Sequence, residues 1–170
     1  MTGDRDPATT TRKETAMRVG TGRTDITPPT GTLMGGQLED VRSCGTESPL
    51  SATALALSDD HLEVLWVACD LLMFTNEMAR EVRCLIAQET GVLAEAVIVS
   101  ATHTHSGPLT VPVFSMDSDT AYCSRLPRLI ADAAVQAHRA LNDGSLRVGS
   151  GRLGGWSFNR RFLMSDGADS

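Results

Sequence analysis

Ala96-Val-Ile-Val-Ser-Ala-Thr-His-Thr-His-Ser-Gly-Pro108 is the stretch on which the fold turns. It starts as a short apolar, β-branched run, the pattern of a buried strand, and stops at Ser-Gly-Pro. Upstream, Thr75 is placed to cap a helix whose apolar positions Met78, Val82, Leu85 and Ile86 fall at i, i+4, i+7 and i+8. Glu77 in its first turn suits the helix dipole, and Gly91 ends it. Before that helix lies Leu62 to Cys69, apolar on both faces over Val64-Leu65-Trp66-Val67-Ala68 as a central strand should be. Strand, helix and apolar strand in succession read as a right-handed parallel crossover. Leu50 to Leu57 precedes them, joined through Ser58-Asp59-Asp60-His61 as a hairpin, so the sheet is mixed. The expected class is α/β, a mixed β-sheet with helices on one face.

Further out, Val19 to Ile26 reads as the first strand, with Asp25 near its end before the breaking Thr27-Pro28-Pro29. Residues 30–49 are Gly-rich and irregular, a long loop of the kind that carries function. After Pro108 a polar loop runs to about residue 120. Tyr122, Leu126, Leu129, Ile130, Ala133, Ala137 and Leu141 mark a second amphipathic helix. Pro127 requires that its regular part start near Leu126 or that its first turns be kinked. Asn142-Asp143-Gly144 reads as its stop, Leu146 to Val148 as a short strand, and Gly149 to Gly155 as a turn region. Trp156 to Met164 reads as a last strand, followed by the turn signal Asp166-Gly167 and no return strand. That leaves an open edge of the kind folded proteins cover, so the sequence reads as cut.

A chain of 170 residues suffices for one domain with a real core. Its 41% hydrophobic and 21% charged residues suggest neither disorder nor a fibre. A net charge of −6 and a pI near 5.1 argue against nucleic-acid binding, which favours basic surfaces. No run reaches the roughly 18 apolar residues of a membrane span, so stable membrane insertion is not expected. Residues 1–16 are polar and aperiodic and read as a disordered tail, with residues 17–170 as the folded part. The amino terminus lacks the apolar core of a signal peptide, which makes a cytoplasmic location the default. Of four cysteines, none in C-x-x-C spacing, Cys69 and Cys84 read as buried, inert thiols.

The chemistry concentrates at His103 and His105. Side chains two apart on extended backbone share a face, so such a continuation would aim both imidazoles into one space. Neutral imidazole is the commonest protein metal ligand, but a zinc site needs three or four ligands and this pair supplies two at most. Two solvated loop histidines are the plain alternative.

At Ala101-Thr-His-Thr-His-Ser-Gly-Pro108 the sequence resembles the neutral/alkaline (non-lysosomal) ceramidase family. Val19-Gly-Thr-Gly-Arg-Thr-Asp-Ile-Thr-Pro-Pro29 is similar to that family's opening strand and turn, and Leu50 to Leu72, with Ala68-Cys-Asp-Leu-Leu72, to its next two strands. Asn159-Arg160-Arg161 is similar to its asparagine-arginine motif. The likeness runs in order over about residues 17 to 166, as the amino-terminal portion of a catalytic domain. It implies a larger α-β-β-α layered domain in which two helix-covered sheets stack. It also implies zinc-dependent hydrolysis of a ceramide-like N-acyl lipid amide to a fatty acid and a sphingoid base. Carried over by position, His103 is the zinc ligand and His105 contacts substrate or the tetrahedral intermediate. Asp25 and Arg160 line the same pocket.

Without the resemblance, Asp25 reads as closing an Asx turn and Arg160 as a surface charge. Family members carry a second histidine ligand, a glutamate and a tyrosine further along the chain, and this sequence ends before them. His61 in a hairpin turn and His138 near the outer face of a helix are poor substitutes. The expectation is therefore one zinc-binding histidine and part of a pocket wall, incomplete for activity alone. The alternatives are a non-catalytic fragment of such a hydrolase and a zinc amidase acting on a soluble N-acyl compound. Oligomeric state is left open.

Overall fold

The computed structural model describes residues 17–59, 61–113, 115–147, 149–152 and 154–155. Five strands, β1 (Met17–Asp25), β2 (Ser51–Ser58), β3 (Glu63–Cys69), β4 (Val97–Ala101) and β5 (Asn142–Gly144), form one sheet in the order β4-β3-β2-β1-β5. β3 and β4 are parallel and the other pairs antiparallel, so the mixed α/β sheet and its crossover are as the sequence implies. The crossover helix α1 (Asn76–Thr90) is capped by Thr75, whose side chain accepts the Met78 N–H at 3.1 Å. It ends at Gly91, whose φ of 75° is the left-handed conformation that favours glycine. A 3-10 turn over Ala94–Ala96 then feeds β4.

Pro127 is accommodated by splitting the second helical region in two. A single turn, α2 (Thr120–Cys123), is capped by Asp119, and α3 (Leu126–Arg139) starts afresh with the proline in its first turn, where no N–H is missed. α3 lies across β1, β2 and β3 and against α1. The sheet makes this close approach possible with small side chains. Ala52, Ala54 and Ala56 of β2 are fully buried, and on β1 their neighbours in register are Thr24, Gly22 and Gly20. A Cβ on Gly22 would sit 2.7 Å from the Ala137 backbone nitrogen, and one on Gly20 would sit 2.9 Å from that of Leu141. α3 meets them with Ala133 and Ala137, both fully buried. Larger apolar groups, Leu65 and Val67 of β3, Val82 and Ile86 of α1 and Leu126 and Ile130 of α3, fill the rest of this core.

Helices therefore cover one face. On the other, Trp66 and Ile98 are each 49% exposed and Leu55 and Leu57 half-buried, so β3 is interior in the sheet and, among the described residues, covered on one side. Trp66 spends its one polar group on Ser100, its Nε1–H donating to Oγ at 2.9 Å.

Three expectations need correction. Asn142–Gly144 stops α3 but is itself the fifth strand, pairing with Met17–Val19, while 146–147 lie outside any strand. An edge strand is fixed by the partner it finds, and here turn-forming residues take that place. Cys84 is exposed, because α1 buries Ala79, Val82 and Ile86 and a residue two beyond Val82 points away from that stripe. His138 is half-buried, its Nδ1 2.7 Å from Glu63 Oε1. Cys69 is buried and His61 exposed, as expected. The tail, 1–16, and the strand expected over Trp156 to Met164 lie outside the described residues, as does the end of the 146–148 segment.

Candidate metal and substrate site

β3 and β4 finish level, Cys69 beside Ala101, and the chain leaving each strand stays bonded to the other. The Thr102 N–H donates to the Cys69 carbonyl at 2.9 Å and the His103 N–H to the Leu71 carbonyl at 3.0 Å. The 30–49 loop is stitched to the same place. Gly35 N–H donates to the Gly107 carbonyl and Leu109 N–H to the Leu33 carbonyl, both at 2.8 Å. The Thr110 hydroxyl donates to the Met73 carbonyl. Segments 33–36, 71–73 and 103–110 thus form one cross-linked platform at the carboxyl ends of the parallel pair, the end where open α/β sheets place their ligands.

His103 and His105 converge there. Their ring centroids are 5.2 Å apart with planes at 71°, and both line a cavity of about 230 Å³ walled by Leu38, Leu72, Met73 and Leu109. The convergence has a different cause from the one expected. Extended backbone stops at Ala101, and His103 takes φ 61°, a left-handed conformation that costs a non-glycine residue about 1–2 kcal/mol. Such residues persist where their surroundings over-determine them. Here two carbonyls do so, Leu71 taking the backbone N–H and Leu72 facing the ring Nδ1 at 2.9 Å.

That second contact fixes the ring chemistry. A carbonyl oxygen only accepts, so Nδ1 carries the proton and the neutral ring keeps its lone pair on Nε2. A histidine held in this way by a backbone carbonyl is oriented as metal-ligating histidines are. His103 therefore fits one ligand position of a zinc site. Among the described residues no cluster of three or more His, Cys, Asp or Glu is present, so further ligands would come from elsewhere.

Asp25 and Asp70 are not among the residues that line the histidine cavity. Asp25 is exposed at the end of β1, and its Oδ1 accepts the Thr27 N–H at 2.7 Å. Hydrogen bonds from the Thr27 side chain and backbone hold its carboxyl below the usual range. Asp70 Oδ2 accepts from both the N–H and the hydroxyl of Ser51 at 2.9 Å, tying β2 to the start of the platform. Arg160 lies outside the described residues. A second, larger cavity of about 600 Å³ sits against the same loop, where Thr104, Ser106 and Gly107 face Thr27, Cys44 and Glu47. Alternate residues of the loop thus serve two cavities, histidines on one and hydroxyls on the other. Sequence reading missed the carbonyl of Leu72, which no side-chain pattern can reveal.

Residues 17–164 match the family model described as neutral/alkaline non-lysosomal ceramidase, N-terminal. Among solved structures, the chain resembles the neutral ceramidase from Pseudomonas aeruginosa, with 24% identity over 78% of this chain and a TM-score of 0.70. It also resembles a structure described as ceramidase complexed with C2, at 26% identity over 77% of this chain and a TM-score of 0.66. It spans 23% and 22% of those two chains. The family match spans every described residue, and the chain belongs to the neutral/alkaline non-lysosomal ceramidase family.

Proposed function

We propose that the protein is the amino-terminal part of a zinc-dependent hydrolase that cleaves the amide bond of N-acylsphingosine or a related N-acyl lipid amide, giving a fatty acid and a sphingoid base. The observation that carries the reading is the convergence of two imidazoles on one apolar cavity, one of them with its tautomer set by Leu72. Family membership supports the ceramide-like substrate, and the Leu38, Leu72, Met73 and Leu109 walls favour an acyl chain over a soluble group.

In this reading His103 holds zinc through Nε2. Zinc bound there supplies Lewis acidity and water with a pKa lowered to about 7. His105, two residues on, would donate a hydrogen bond to the oxygen of the amide as charge develops on it. One such donor contributes about 2.7–4 kcal/mol in a preorganised site. Arg160 is assigned a similar role in the pocket wall by resemblance alone. Asp25 is assigned to the wall on the same basis, its carboxylate meanwhile holding the turn at Thr27. The half-exposed face around Trp66 and Ile98 is where the second sheet of the layered domain packs in this account.

The test is hydrolysis of N-acylsphingosine by this chain and by a polypeptide extended to the length of its relatives, with and without a chelator. The expected result is chelator-sensitive turnover in the longer form, reduced to background by His103→Ala. Full turnover by metal-free protein or by that variant would remove the mechanism.

A further inference from the structure

We propose that Gly36 is a positioning residue for His105, its bare Cα forming the surface against which the imidazole rests. Gly36 has φ 82°, and a Cβ there would sit 2.6 Å from both Cγ and Nδ1 of the His105 ring. Carbon atoms in contact settle at about 3.5–4.0 Å, so any side chain at this position requires the ring to move. The flanking residues hold the two parts together. Gly35 N–H is bonded to the Gly107 carbonyl on one side, and Gln37 Nε2 donates to the His105 carbonyl at 3.4 Å on the other. With its back blocked by Gly36, the ring stays 5.2 Å from that of His103 and on the cavity that Gln37 and Leu38 also line. The glycine pair of the long loop thereby sets the distance between the two imidazoles. This deepens the functional reading above, but it is tested on ring position, so loss of either leaves the other standing.

Gly31 provides the control. Its φ of 92° imposes the same left-handed strain on alanine, yet a Cβ there meets nothing within 4 Å. Gly36→Ala and Gly31→Ala should both lower the urea midpoint, Gly36→Ala by more. In two-dimensional NMR at one fixed pH, Gly36→Ala should move the His105 ring resonances and weaken the His103–His105 ring cross-peak, and Gly31→Ala should leave both in place. A His105→Ala background removes the atoms in conflict, so there Gly36→Ala should cost no more than Gly31→Ala. If Gly36→Ala alone does not fold, folding of Gly36→Ala/His105→Ala is the supporting result. Unmoved His105 resonances in a folded Gly36→Ala, or an equal midpoint loss with and without the imidazole, overturns the proposal. So does failure of the double variant to fold while Gly31→Ala folds.

Discussion

Replacing Gly22 by alanine tests the packing that supports the whole platform. The added methyl would lie 2.7 Å from the Ala137 nitrogen, 2.8 Å from Gln136 Cβ, and closer still to the Ala133 carbonyl. Restoring ordinary contact, at separations of about 3.5 Å or more, requires α3 to retreat by more than the roughly 0.8 Å that would clear Ala137, because the Ala133 carbonyl lies closer still. A backbone cannot yield as a flexible side chain does. α3 also packs on β2, β3 and α1, so its retreat loosens Leu126 and Ile130 in the core. Overpacking of this kind costs about 1–3 kcal/mol, offset by about 0.4–1 kcal/mol because alanine has less freedom to lose on folding than glycine. The net expectation is a loss of about 1.3 kcal/mol, or about 3–5 °C in Tm for a chain of this size. Urea unfolding followed by far-UV circular dichroism reads it as a lower midpoint at unchanged slope. Gly45→Ala, whose methyl meets nothing within 4 Å, is the matched control and should stay within about 0.5 kcal/mol of the parent. A Gly22→Ala protein as stable as the parent would refute the strand-on-helix contact.

Thiol reactivity should follow burial. Cys44 and Cys84 are exposed and should label quickly under native conditions, whereas Cys69, whose pKa burial pushes up to about 12, should label only on unfolding. Mass spectrometry of a timed alkylation reads the order, and early labelling at Cys69 would contradict the core described. At acid pH, Asp25 and Asp59 have carboxyls lowered by hydrogen bonds, from Thr27 and from the His61 and Leu62 backbone N–H groups respectively. A lowered folded-state pKa gives stability that is present above the unfolded value of about 3.9 and is lost as pH falls through the folded one. Asp59→Asn should therefore shrink its stability deficit relative to the parent as pH drops below about 4. A deficit that instead grows in acid would reverse the sign of this linkage.

The β3–α1–β4 unit was legible because each part carries its own periodic signal and its own stop, Thr75 and Gly91 for the helix and Ser-Gly-Pro after β4. The pairing of Asn142–Gly144 with β1 was not, since those residues specify a turn locally and become a strand only by meeting Met17–Val19. The exposure of Cys84 depends on which stripe of α1 meets the core, and the apolar positions at Met78 and Leu85, both only partly buried, blur that stripe in the sequence. The histidine pair was visible and its convergence was expected, yet extended geometry was the wrong cause. A left-handed His103 held by two carbonyls cannot be inferred from side-chain spacing. The Gly-rich 30–49 loop signalled irregular backbone, and only the fold shows that Gly36 accommodates the His105 ring.

The most direct measurement of the central claim is a ¹⁵N NMR titration of the histidine rings with zinc. The account predicts that His103 Nε2 shifts on metal addition while its Nδ1–H stays bonded to Leu72, and that His103→Ala abolishes the shift. A His103 ring unmoved at saturating zinc, or metal bound with its Nδ1 in place of Nε2, would contradict it.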